Sequence, residues 1–376
     1  MRELYIKPQI HSFESFEAFA KEFALDEKDL IFTEQFIYDT FIKNLGLPCK
    51  VVMRDPYGLG EPSDEMIDRI YKEARKHDFK RILAVGGGSV IDIGKVLALQ
   101  SACPSTQAFT RAIPIIKERE LVILPTTCGT GSEVTNISIA ALKSKGTKLG
   151  LVDEALYADH AVLIPELVKE LPYKFFVYSA VDALVHAAES YVAKRASRLS
   201  ELLSLQACEM ILSGFAKVIR NGEEYRKHII GDFLLASNIA GIAFANAGVG
   251  PVHALAYPLG GKYHVPHGES NYQFLSSVFS VYMREKPGKK LDDLGEVIGK
   301  ALTSAGMDVK GADIFIKLEE FLGRLLPLKP LREYGMQQSD IAEFTQSVID
   351  NQQRLLVNSY IPFDYDIICD IYRARY

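Results

Sequence analysis

The sequence lacks any strong excess of positive or negative charge. Its 43 Lys and Arg residues against 48 Asp and Glu leave a net charge of −5, and no dense basic stripe occurs. A nucleic-acid or anionic-membrane partner is therefore not expected. Long apolar runs are also missing: none approaches the roughly 18 to 20 unbroken apolar residues that span a bilayer. The opening MRELYIKPQIHSFESFEAFAKEF has no apolar core followed by a small-residue cleavage site, so no secretory signal is expected. Cysteine is sparse and scattered (Cys49, Cys103, Cys128, Cys208 and Cys369). That spacing fits neither a disulfide framework nor a CxxC zinc site, and a reduced, cytoplasmic setting is the simplest expectation.

What is present is an ordinary globular composition, 48% hydrophobic and 24% charged. A chain of 376 residues exceeds what one core sustains, so two domains are expected. The first half alternates short β-branched runs with helical patterns. LIFT (30–33), RILAV (81–85), ELVILP (120–125) and HAVLIP (160–165) read as buried strands, with helical periodicity over 61–79 and 89–100. This predicts an α/β domain with a mostly parallel sheet covered on both faces. Beyond about residue 170 helical periodicity dominates: 172–193, 199–220, 225–246, 312–326 and 338–353 all read as helix. The expected division is 1–170 and 171–376, with the two parts packed around a shared cleft.

AVGGGSVIDIGK (84–95) sets three glycines after a strand and before a helix. Glycine lets backbone amides approach a ligand closely, and a helix start near Ser89 would turn free N–H groups and the positive dipole end to the same spot. The loop reads either as a phosphate cradle or as a tight turn with Ser89 as N-cap. PTTCGTGSEVT (125–135) is a second glycine- and hydroxyl-rich loop after a strand. Two such loops at strand ends suit one extended phosphate-bearing ligand, such as a dinucleotide. Glu34, just after LIFT, reads either as a ribose ligand favouring NAD over NADP or as a solvated first-turn carboxylate.

Asp182 and His186 are four apart in a helical segment and share a face. GPVHALAYPLGGKYHVPHGES (250–270) adds His253 and His267 with a Pro/Gly-rich turn between them. One carboxylate and three imidazoles suit Zn²⁺ or Fe²⁺ better than Mg²⁺ or Ca²⁺. The plainer readings are a surface Asp/His pair and a His267 that merely neighbours a helix cap; His264 competes for the ligand role.

GGGSVID (86–92), PTTCGTGSEVT (125–135), DALVHAAESYV (182–192) and the HALAYPLG…VPHG block (253–268) resemble the iron-dependent, or group III, alcohol dehydrogenases along essentially the whole chain. The resemblance implies an N-terminal dinucleotide-binding domain and an all-α C-terminal domain, the dehydroquinate synthase-like architecture. It implies Asp182, His186, His253 and His267 as metal ligands. It places Gly87, Gly88, Ser89, Asp92, Thr126, Thr127, Thr130, Thr135 and Lys148 at nucleotide-contacting positions, and Glu34 near the adenosine ribose. Glu61 replaces an Asn that many relatives carry before Pro62, and Tyr257 replaces a His near the nicotinamide, so any proton relay passes to Tyr257 or is lost.

Within the family, YGLGEPSDEMI (57–67), LPYKFFV (171–177), YHVPHGE (263–269), PLREYGM (330–336) and QQRLLVN (352–358) resemble the 4-hydroxybutyrate dehydrogenase branch. That likeness implies hydride transfer between 4-hydroxybutyrate and NAD, giving succinate semialdehyde, with Fe²⁺ or Zn²⁺ as the metal and a homodimer as the assembly. The substrate carboxylate needs a cationic or hydrogen-bonding partner, for which Tyr257, Lys262 and His264 are candidates; Lys262 reads equally as a solvated lysine. Short-chain alcohols or diols are the alternative substrates. A dehydroquinate synthase-type lyase would need a basic cluster for a phosphorylated substrate, and none is evident.

Overall fold

The structure is a computed structural model that describes residues 3–58, 60–310 and 313–376. Leu59 in the YGLGEPSDEMI stretch and Ala312, which opens the helix expected at 312–326, lie outside the described residues. The chain divides into an α/β unit (Ile6–Thr127 and Gly131–Leu171) and a helical unit (Pro172–Tyr376, joined by Cys128–Thr130 and the first residues).

The α/β unit holds strands β1 (Gln9–Ser12), β2 (Asp29–Thr33), β3 (Lys50–Met53), β4 (Arg81–Gly86), β5 (Glu120–Pro125), β6 (Ile137–Leu142), β7 (Thr147–Val152) and β8 (His160–Leu163). Six form one sheet in the order β1-β8-β5-β4-β2-β3, and every neighbouring pair is parallel. Alternate side chains serve opposite faces. Leu30, Phe32, Ile82, Ala84, Leu121 and Ile123 enter one core with helices α1 (Asp64–Ala74) and α2 (Gly88–Leu97). Ile31, Leu83, Val85, Val122 and Leu124 enter the other, with Phe16 and Phe19. Burial on both faces is why these strands read as unbroken apolar runs. The short strands β1 and β3 and the antiparallel β6–β7 hairpin were not legible, because four-residue edge strands and a half-exposed hairpin carry little apolar signal.

The sheet order has a functional consequence. From β2 the chain moves to β3 at one edge, whereas from β4 it moves through β5 toward the other. The adjacent strands β2 and β4 therefore flank the point where the winding reverses, with Thr33 beside Val85. Open α/β sheets collect ligands outside the strand ends at such a point.

The helical unit contains α3 (Tyr173–Val192), α4 (Arg198–Asn221), α5 (Ile230–Ala247), α6 (Pro251–Tyr263), α7 (His267–Glu285), α8 (Lys289–Ser304), α9 (Ile314–Gly323), α10 (Asp340–Asn351), the short α11 (Gln353–Leu356) and α12 (Tyr365–Arg375). Helix α3 is buried almost all round from Phe176 onward, as a central helix must be. Although no apolar run is unbroken, α4 and α5 are each long and apolar enough on average to cross a membrane; half or more of each apolar window is buried within the unit.

Two expectations are corrected. Residues 225–246 form one helix only from Ile230, since a 3₁₀ segment (Glu223–His228) ends at Ile229 with φ −121°. The Pro/Gly-rich stretch after His253 is not a turn: α6 continues through Pro258, because Val252, Ala254, Leu255, Ala256 and Leu259 are buried and packing outweighs the proline penalty. The turn is only His264–Pro266, opened by His264 in the left-handed region at φ 55°.

Candidate metal centre and anion-binding loops

Within the α/β unit, α2 starts at the C-terminal end of β4. Its cap is Gly87 rather than Ser89, and no side chain caps it, so the tight-turn reading with Ser89 as N-cap is set aside. Gly94 is required inside the fold: a Cβ there would lie 2.5 Å from the Ala84 Cβ, so its absence lets α2 lie close on β4. Gly87 has no such internal reason. Its φ of −75° suits any residue, and an added Cβ would meet only Thr127 Cγ2 at 3.4 Å. What glycine leaves at Gly87 and Gly88 is bare, partly exposed backbone at an uncapped helix start, the arrangement that holds phosphate.

The second loop is tied to the first. The Thr126 amide donates to the Gly86 carbonyl at 3.1 Å. Lys95, 0% exposed, donates from Nζ to Ser132 Oγ (2.9 Å), Thr135 Oγ1 (3.1 Å) and the Ile137 carbonyl (2.7 Å). Burial lowers the Lys95 ammonium to about 8, against the pull of Asp92 and Glu133, and burial pushes the Asp92 carboxyl up to about 6 despite Lys95. Asp92 accepts from Ser132 Oγ (3.3 Å) and from the Ile139 amide (3.1 Å). Sequence reasoning missed Lys95, which reads as a routine polar position in a helix.

Of the expected nucleotide residues, the structure brings Gly87, Gly88, Ser89, Thr126 and Thr127 together at the ends of β4 and β5. Asp92 and Thr135 are committed to the Lys95 network, and Thr130 clusters with the helical unit. Lys148 is held by the Glu61 carboxylate at 2.8 Å, so the residue that departs from the family pattern neutralises a residue expected to contact nucleotide. Glu34, at the end of β2, pairs with the Arg54 guanidinium.

Within the helical unit, Asp182 and His186 sit one turn apart on α3, His253 lies in the first turn of α6, and His267 opens α7. One ligand atom from each lies within 4.8 Å of all the others. Asp182, His186 and His253 are at most 5% exposed, whereas the His267 side chain is 40% exposed. Gly268 makes this possible, since a Cβ would lie 2.4 Å from the Tyr178 carbonyl and push α7 off α3.

The outer nitrogens are already engaged. His186 Nδ1 donates to the Gly129 carbonyl at 3.3 Å, and His253 Nδ1 donates to Glu189 Oε2 at 2.7 Å. Glu189 also accepts from the amides of Gly250 (3.0 Å) and Val252 (2.6 Å), so one buried carboxylate caps α6 and fixes the His253 ring. The Asn271 amide donates to Asp182 Oδ1 at 2.7 Å. These contacts leave the inner nitrogens of His186 and His253 for the cluster's centre, where the buried His253 Nε2 has no hydrogen-bond partner, while His267 Nε2 lies 3.2 Å from the Asn271 amide nitrogen. Burial lowers the basicity of His186 and His253, keeping both in the neutral, ligating form. Burial opposes ionisation of Asp182, yet the three imidazoles together hold its carboxyl below the ordinary value. A carboxylate and three imidazoles around an orphaned nitrogen fit a divalent transition metal.

Glu189 and Asn271 were missed, although Glu189 falls on the same face of α3 as Asp182 and His186 at a spacing of four and three. Glu189→Gln is expected to weaken metal affinity about 10- to 100-fold, as loss of a histidine-orienting carboxylate does. Metal retention against a graded chelator measures it; affinity equal to wild type would remove Glu189 from the site.

The expected substrate residues fare differently. Lys262 is not available: its Nζ donates to Asp340 Oδ1 (2.8 Å) and Glu343 Oε2 (2.7 Å), so the ammonium already serves two carboxylates. His264 is exposed and stands outside the four-residue cluster. The Tyr257 ring lies 6.3 Å from that of His267, and its hydroxyl accepts from Arg354 at 3.2 Å. All five cysteines are free.

The sequence matches the family described as iron-containing alcohol dehydrogenase over residues 8–165, and the C-terminal region of the Fe-containing alcohol dehydrogenase family over 176–376. The chain belongs to the iron-containing alcohol dehydrogenases. It is 46% identical over 376 residues to the 4-hydroxybutyrate dehydrogenase of Clostridium kluyveri, covering 100% of both chains. It is 34% identical over 321 residues to long-chain-alcohol dehydrogenase 1 of Geobacillus thermodenitrificans, covering 84% of this chain and 80% of that one. A 1,3-propanediol oxidoreductase shares the fold with a TM-score of 0.82 at 21% identity, over 100% of both chains. So does a sulfoacetaldehyde reductase from Bifidobacterium kashiwanohense solved with NAD+, with a TM-score of 0.81 at 21% identity over 100% and 98%.

Proposed function

We propose that this chain is an NAD-linked dehydrogenase that interconverts 4-hydroxybutyrate and succinate semialdehyde, with a divalent metal held by Asp182, His186, His253 and His267. The observation that carries the metal assignment is the convergence of those four ligand atoms on an unpartnered, buried His253 Nε2. The substrate follows from the 46% identity with the Clostridium kluyveri enzyme over the whole chain. A dinucleotide is supported by the uncapped start of α2 beside bare glycine backbone at the winding reversal, and NAD is the form carried by the family resemblance, since the charge of Glu34 is already paired with Arg54.

When bound, the metal supplies Lewis-acid polarisation of the substrate oxygen, the effect that takes the pKa of water from about 15.7 to about 7. The chain supplies the rest. Glu189 and Gly129 fix the His253 and His186 rings, Asn271 orients the Asp182 carboxylate, and the loops at the ends of β4 and β5 seat the pyrophosphate. Iron is the metal the family description favours, and zinc suits the same donors. On the family resemblance the working form is a cytoplasmic homodimer, which sedimentation of the purified protein would test.

The deciding assay follows NADH absorbance with 4-hydroxybutyrate, 1-butanol and 1,2-propanediol after reconstitution with Fe²⁺ or Zn²⁺. The expected result is a kcat/KM for 4-hydroxybutyrate at least about 10-fold above either alcohol, since pairing of a charged group adds about that much discrimination. Equal turnover of all three would discard the hydroxy-acid assignment.

A further inference from the structure

Near the four-residue cluster stands a cation that no acid among the described residues pairs with. Arg354 projects from α11, whose neighbouring Leu355 and Leu356 are buried while Arg354 itself is exposed. Its NH2 donates to the Tyr257 hydroxyl at 3.2 Å, and its guanidinium lies 5.8 Å from the centre of the Tyr257 ring. Among the described residues no carboxylate lies within ion-pair distance of it, whereas Lys262 serves Asp340 and Glu343, and Arg375 serves Glu319. Tyr257 stands one turn after His253 on α6, with its ring 6.3 Å from that of His267.

An unpaired guanidinium next to three imidazoles and a divalent cation's seat is electrostatically unfavourable by itself. An anion between the two would reverse the sign of that cost. The planar fork of Arg is suited to a carboxylate, and a Tyr hydroxyl adds a further hydrogen-bonding group. An extended four-carbon hydroxy acid separates its hydroxyl oxygen from its carboxylate by roughly 6 Å, so its two ends must be held by different groups. We propose that Arg354, together with the Tyr257 hydroxyl, forms the subsite that grips the carboxylate of an ω-hydroxy acid while its alcohol end lies at the His253–His267 end of the cluster. This inference rests on the 4-hydroxybutyrate reading above. It assigns to Arg354 the task that sequence reasoning gave to Lys262 and His264.

The test compares binding of two unreactive or neutral probes with turnover. Butyrate binding to the metal- and NAD-loaded protein is measured by calorimetry, and KM is measured for 4-hydroxybutyrate and for 1,4-butanediol. For Arg354→Gln the butyrate dissociation constant and the 4-hydroxybutyrate KM are expected to rise about 10- to 100-fold. The ratio of kcat/KM for hydroxy acid over diol should fall by a similar factor, and Arg354→Lys should recover part of the loss. Lys262→Ala should retain the wild-type ratio. A change below about 3-fold in butyrate binding is what a fully solvated ion pair gives, and would overturn the Arg354 assignment while leaving the substrate reading intact. Equal losses on butyrate and on the diol would overturn it as well, since they mark a merely structural residue. A wild-type enzyme that does not prefer 4-hydroxybutyrate over the diol would instead remove the substrate reading, and this inference with it. Because Arg354 is exposed, the variants are expected to fold.

Discussion

Replacing His253 by alanine is expected to strip the metal from the protein and to lower turnover by about a thousand-fold or more. Disturbing only the partner of a ligating histidine costs about 10- to 100-fold in affinity, and removing the ligand costs more. The effect should be largest at His253 because its ring is buried, its Nδ1 is locked by Glu189, and its Nε2 has no partner in the fold other than what the cluster binds. His267 is 40% exposed by its side chain, so water has easier access to its place. The primary readout is metal content after dialysis. A second is thermal: added metal raises the unfolding midpoint of the wild type by mass action, and should leave that of His253→Ala unmoved. His253→Gln preserves volume and guards against simple loss of packing. His264→Ala, at an exposed position outside the cluster, is the matched control. Full metal occupancy and turnover in both His253 variants would end the assignment of this centre.

How much of this was legible depended on what each residue touches. The central strands were readable because both faces are buried, so β2, β4 and β5 appear as apolar runs. The four ligand candidates were named from a helical Asp/His pair, two further histidines in 250–270 and the family resemblance, since the helical pair alone reads as readily as a surface pair. The residues that tune them were not. Glu189 reads as one more helical glutamate until the fold carries the start of α6 onto it. Lys262 and Arg354 show the same limit from the other side. Both are ordinary exposed cations in the sequence, and the difference is that Asp340 and Glu343 on α10 occupy one of them. Proline and glycine misled in one place. The stretch holding Pro258, Gly260 and Gly261 carries turn chemistry, but the burial of its other side makes it helix.

Lys95→Met is expected to destabilise the α/β unit by about 3–5 kcal/mol, the cost of removing one partner from a buried charged network. Two effects oppose each other here. Burying the ammonium is itself costly, which is why it loses its proton at about 8 rather than at the ordinary value. Methionine escapes that cost and fills similar volume. Against this, Ser132, Thr135 and the Ile137 carbonyl each lose a donor, and Asp92 loses its neighbouring positive charge. Unsatisfied buried acceptors and an uncompensated carboxylate outweigh the desolvation gained, so the sign is a loss. Pairing the change with Asp92→Asn removes the stranded charge, and the double variant should regain part of the stability; additivity of the two would show that the charges do not interact. The functional consequence is separate. Lys95 fastens α2 to the segment after the second glycine-rich loop, so its loss frees the two loops from each other and NAD affinity should fall as well. Thermal unfolding and NAD titration by NADH-band or tyrosine fluorescence measure the two effects. A variant that unfolds at the wild-type temperature and binds NAD equally well would show that this lysine holds neither the fold nor the loops.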